Sequence, residues 1–91
     1  MALTKEIIVD KIEVLEMGQV QVRTATRVLE DGAVLSSSFH RHVVEPSTKT
    51  GDTWADTDIS GEDARVQAVA TATWTSAVKT AYQEMIDAQS L

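Results

Sequence analysis

The dipeptide Asp31-Gly32 stands between two runs of alternating residues, and it constrains this chain more than any other feature. A two-residue turn of this type takes positive φ at both positions, matches the twist of the flanking strands and fixes their register. On the strand before it, Val20, Val22, Thr24, Thr26 and Val28 point one way, while Gln21, Arg23, Ala25, Arg27 and Leu29 point the other. The turn predicts Val28 facing Leu35, Thr24 facing Phe39 and Val20 facing Val43. The apolar sides of the two strands then meet. A slip of one residue would scatter them over both faces.

A first strand, Lys5 to Leu15, joins this hairpin through Glu16-Met17-Gly18-Gln19. The register that keeps the inner face apolar sets Val14 against Val22, Ile12 against Thr24 and Ile8 against Val28. It leaves Ile7, Val9, Leu29 and Val34 together on the outer face. Such a cluster has two explanations: a bulge near Asp10 that switches the phase, or a patch covered by another molecule. Residues 4–45 therefore read as a three-stranded antiparallel meander. Pro46 ends the third strand, and residues 46–59 read as a polar loop pinned by Trp54.

Residues 60–89 read as one long C-terminal helix. Ser60 and Asp63 form a capping-box-like start. Val66, Ala70, Trp74, Ala77, Ala81, Met85 and Ala88 recur at three- and four-residue steps and make one stripe. A helix over this stretch would run about 42 Å, matching a twelve-residue strand at about 40 Å, so one rod would cover one face of the meander. Thr71, Thr73 and Thr75 weaken it locally and allow a kink at Trp74. The expected architecture is α+β: a three-stranded meander packed on one helix, in a single domain of 91 residues. Arg41 falls on the inner face by parity, which predicts that it reaches Glu84 or Asp63.

The chain has no cysteine, which excludes a disulfide framework and thiolate metal sites. Its beginning lacks a basic segment followed by an apolar core, and no apolar run approaches the roughly 20 residues that span a bilayer, so neither a secretory signal nor a membrane partner is expected. A net charge of −6 argues against general binding of nucleic acid.

Chemistry finds few footholds. His40 and His42 alternate on one strand and share the outer face with Arg23 and Arg27. A cation beside an H-x-H pair disfavours a metal ion, so exposed histidines are the expectation. Asp56, Asp58, Ser60 and Gly61 copy the first half of a calcium loop, but Gln67 stands where the bidentate glutamate is needed. No nucleophile elbow, phosphate-cradling loop or paired carboxylates in an apolar setting occurs. No catalytic residue, metal or cofactor is expected. The candidate site is an interaction surface: Ile7, Val9, Leu29 and Val34 as its apolar part, and Arg23, Arg27, His40 and His42 as its basic part.

The stretches TKEIIVDKIEVLEMGQVQVRTATRVLEDG, SSFHRHVVEP and DISGEDARVQAVATATWTSAVKTAYQ resemble a family of small proteins encoded by tailed bacteriophages, marine phages in particular. The resemblance covers nearly the whole chain and implies a virion component of the head, neck or tail, assembled in the host cytoplasm. The resulting expectation is a non-enzymatic structural subunit that binds other virion proteins and copies of itself. The alternative is a small phage-encoded module outside the virion that engages an acidic protein through the outer sheet face.

Overall fold

In the computed structural model, residues 2–89 are described. The chain forms β1 (Leu3–Val14), β2 (Val20–Glu30), β3 (Ala33–Val44), β4 (Ser47–Thr50), β5 (Thr53–Asp56), α1 (Ala64–Thr73) and α2 (Ser76–Gln89). The class is α+β. β1, β2 and β3 make an antiparallel meander in that order, and β4 and β5 make a separate hairpin. The expected loop at 46–59 therefore contains strand: Gly51, at φ 62°, and Asp52 turn β4 into β5.

Asp31 and Gly32 both take positive φ, 50° and 87°, as the two-residue turn requires. The register it sets survives only as far as Leu29, opposite Val34. A bulge then adds Leu35 to β3, and from there Val28 faces Ser36, Thr24 faces His40 and Val20 faces Val44. The expected partners Leu35, Phe39 and Val43 are each displaced by one residue, so they leave the side of the sheet that carries Val22. A second bulge, at Asp10, interrupts β1. Before it Ile8 faces Ala25; after it Ile12 faces Val22 and Val14 faces Val20.

The bulges sort the sheet into two faces. One bears Val9, Ile12, Val20, Val22 and Val44, which pack with Val66, Ala70 and Trp74 into the core. The other bears Arg23, Ala25, Arg27 and Phe39, and among the described residues no element covers it. Arg65 of α1 donates to the carbonyl of Val9, beside the β1 bulge, and so ties the helix to the irregular point of the strand.

The predicted single helix is two. Trp74, at φ −86° and ψ 71°, ends α1, and its N–H still donates to the Ala70 carbonyl at 2.8 Å. Thr75 opens α2: its hydroxyl accepts from the Val78 N–H and its carbonyl from the Lys79 N–H. A short-chain hydroxyl that bonds backbone favours such a cap over a helix interior. The break rotates the buried stripe by one position. Val66, Ala70 and Trp74 are buried as the spacing predicts, whereas Ala77 and Ala81 are exposed and Val78 and Tyr82 take their place. The start also moves. Asp63 is the cap of α1, accepting from the Arg65 N–H at 2.8 Å, while Asp58 accepts from Ser60 in a preceding turn.

The indole of Trp74 reaches across to the β1–β2 turn and donates to the Gly18 carbonyl at 2.7 Å. Gly18 takes φ 89°, and a Cβ there would lie 2.5 Å from Val78 Cγ1 and 3.1 Å from Pro46 Cγ. The turn is thus wedged between α2 and the segment after β3. Around the β4–β5 hairpin, Lys49 pairs with Asp87 at 2.8 Å, Lys79 with Asp56 at 2.9 Å, and Trp54 meets Tyr82 edge to face. Burial and the neighbouring Glu45 carboxylate push the Tyr82 phenol up to about 12.

Two outcomes follow. Gly18→Ala forces a side chain into positive φ and a filled space, and should destabilise the fold by about 2–3 kcal/mol. Gly61→Ala, with open space around it, should stay within about 0.5 kcal/mol, both read by urea unfolding. The raised Tyr82 value makes its contribution complete below pH ~10 and lost as pH climbs toward 12, a decline that Tyr82→Phe should remove from the alkaline melting profile.

Candidate functional site

The open face of the sheet is built from cross-strand rows. Asp10, the extra residue of the β1 bulge, accepts two hydrogen bonds from Arg23, at 2.9 and 2.8 Å from Nε and Nη2. Arg27 lies 3.9 Å from the same carboxylate and pairs with Glu6 at 2.9 Å. The Arg23 guanidinium, fixed by that fork, sits 4.5 Å from the centre of the Phe39 ring. The bulge thus orders a carboxylate, the carboxylate orders a cation, and the cation orders an exposed aromatic ring. Ala25 is fully buried within this mosaic. The Arg23 hydrogen bonds hold the Asp10 carboxyl below its usual range, with the charges of Arg23 and Arg27 adding to the effect.

The next row carries an electrostatic conflict. Arg23 faces Lys11 on one side and Arg41 on the other. Lys11 has Glu13 at 3.6 Å. Arg41 is exposed and has no hydrogen-bond or ion-pair partner among the described residues. Like charges directly opposite on a sheet are unfavourable. A hollow of about 160 Å3 lies here, lined by Lys11, Gln21, Arg23, Arg41 and Val43 among others.

The register divides the candidate residues that the sequence grouped together. Ile7 and Val9 lie on the core face, Leu29 and Val34 on the open face, so the expected four-residue patch does not exist. Of the two explanations for it, the bulge at Asp10 is the one realised. Val9 is half-buried against the core, whereas Ile7 is 64% exposed beyond it. His40 and His42 lie on the core face, away from Arg23 and Arg27. Their rings stack with centroids 6.3 Å apart, and His42 Nε2 donates to Glu62 Oε1 at 2.7 Å. Arg41 is the converse correction: parity inverts behind the bulge, and the side chain assigned to the inner face stands on the outer one, far from any role toward Glu84 or Asp63.

The acidic run of the calcium-like segment is engaged locally. Asp56 pairs with Lys79, and the carboxylate of Asp58 accepts from Ser60, which lowers its pKa. Among the described residues no group of three or more His, Asp or Glu side chains is placed to hold a metal ion, and no helix is long and apolar enough to cross a membrane.

Sequence reasoning missed the main surface, the projecting half of the meander. Beyond the core, β3 is exposed from Ala33 to Arg41, with Leu35 57% and Phe39 49% exposed. Leu3, Ile8 and Val34 are exposed beside it. The described chain measures 58 × 25 × 22 Å, so the sheet extends as an arm well past the helices. Comparison of the chain with protein families, with curated proteins and with solved structures finds no match.

Asp10→Asn should loosen both arginines and release the Phe39 ring, seen as a sharp drop in NMR order of the Arg23 guanidinium. A depressed carboxyl contributes stability above its unfolded value of about 3.9 and loses it as pH falls through the folded value. The melting temperatures of wild type and Asp10→Asn should therefore differ at pH 6, draw together as pH falls past the unfolded value, and converge once it is below the depressed folded value. A constant gap would show that Asp10 acts through something other than its charge.

Proposed function

We propose that this chain is a non-enzymatic structural subunit of a tailed-phage virion, decorating the capsid or belonging to the neck or tail. It acts through protein–protein contacts with other virion proteins and with copies of itself. The observation that carries this reading is the projecting arm. Leu3, Ile7, Val34, Leu35 and Phe39 are exposed on two faces and an edge of one long sheet that the chain's own helices do not reach. Large apolar side chains left in water along an uncovered sheet suit contact with another molecule. A subunit that completes its packing in an assembly has that use. The resemblance of the sequence to small phage-encoded proteins supplies the setting.

A second reading is favoured by one observation, the unpartnered Arg41 beside Arg23 and Lys11 on the open face. In it the chain is a phage-encoded module outside the virion, and the row engages an acidic protein. The ring of Phe39, held by Arg23, would act as the anchor of that contact.

Mass spectrometry of purified particles separates the two. The structural reading predicts the chain at a fixed copy number relative to the major shell protein. Absence from particles, with capture of a host protein that is released above physiological salt, favours the module instead.

A further inference from the structure

The two edges of the meander are not equivalent. β1 carries five charged side chains (Lys5, Glu6, Asp10, Lys11 and Glu13) and the Asp10 bulge. Charge is a device that stops an edge from accepting another strand; β3 has a bulge of its own at Leu35, so charge is what separates the two edges. β3 is equally long, twelve residues, yet Arg41 is its one charged side chain besides two histidines, and it has no proline or lysine. Its exposed stretch from Ala33 to Arg41 offers a row of backbone donors and acceptors with apolar side chains alongside.

We propose that β3 is the assembly edge and that its occupant is β3 of a second copy, paired antiparallel about a two-fold axis near Ser37. Two three-stranded sheets then become one of six strands. This deepens the assembly reading above and rests on it. Three features of the strand select a second copy as the occupant. At the axis stand Ser36, Ser37 and Ser38, small and neutral, so a strand meets its own copy without like charge. Leu35 and Phe39 flank the axis on opposite sides, so each Leu35 approaches the Phe39 of the other copy and both lose water contact. Charge completes the match. Arg41 lies four residues from the axis, about 13 Å along the strand. At a similar distance on the other side stands the hairpin turn of the second copy, with Asp31; Glu30 itself points to the core face, away from Arg41. The two-fold brings each unpartnered guanidinium alongside that acidic turn, twice per dimer. The β3 bulge at Leu35 lies within the paired stretch, and Ser36–Val44 beyond it keeps a regular register with β2.

Sedimentation velocity and residue-resolved hydrogen exchange on the full chain, over a concentration series, test this. A dimer should form as concentration rises, and amides within residues 33–41 should exchange more slowly as it forms, while those of β1 stay unchanged. Ser37→Lys sets two ammonium groups at the axis and should weaken the dimer by roughly a hundredfold. Ser37→Glu, which faces Arg27 in its own chain, should do so with the fold intact. Arg41→Glu should cost roughly tenfold. Lys5→Glu on β1 should change nothing. A monomer at every concentration, protection on β1 instead of β3, or a dimer indifferent to both Ser37 variants would overturn the pairing. A chain found in particles yet monomeric in solution, with β3 unprotected, overturns the pairing and leaves the assembly role standing.

Discussion

The rest of the structure depends on the hydrogen bond from the Trp74 indole to the Gly18 carbonyl. The indole is the largest side chain in the core, and it sits where the two helices meet. Its N–H has to find an acceptor once buried, because an orphaned donor costs about 1–3 kcal/mol. The β1–β2 turn provides one, at a glycine whose missing Cβ lets Val78 and Pro46 close in. One contact therefore joins the end of α1, the start of α2, the first turn of the meander and the segment after β3. The core condenses around it, at one end of the sheet.

The other end is a consequence. Twelve-residue strands are longer than two broken helices can cover, since α1 lies over the core and α2 turns toward the β4–β5 hairpin. Past the covered zone the meander is held by strand pairing and by the Asp10–Arg23 and Glu6–Arg27 pairs. Ala2 helps at the tip, exchanging hydrogen bonds with Asp31. A chain of this size buries only about 60–65% of its unfolded surface, so leaving half of a sheet in water is a substantial loss of stabilising burial.

Much of the fold was legible in the residues. Asp31-Gly32 and the alternation of β2 announced the hairpin and the meander; the threonines around Trp74 marked a weak point in what reads as one helix, and the chain breaks there into two. The Asp10 bulge left a trace too, as four apolar residues stranded on one face. The β3 bulge left none. The register expected from the turn needs Leu35, Phe39 and Val43 inside, a requirement that lapses where no described helix covers the sheet. Everything built on β3 parity then inverted, which is why the histidines and Arg41 exchanged faces. The helix capped by Asp63 instead of Ser60 shows the same limit on a smaller scale: two acceptors three residues apart offer rival starts, and packing chose between them. The candidate site was legible as residue types and not as a surface, because the surface exists only after both bulges are placed.

The central claim is that burial stops partway along the sheet. Because the chain has no cysteine of its own, single cysteines report burial directly through their rate of thiol labelling. Placed one at a time at Ile7, Leu35, Val22 and Ala70 in the dilute chain, they should divide cleanly. Ile7 and Leu35 should react nearly as fast as in the unfolded chain, and Val22 and Ala70 should react only through global unfolding. Uniform protection of all four would mean that the arm is packed within its own subunit, and would contradict the account.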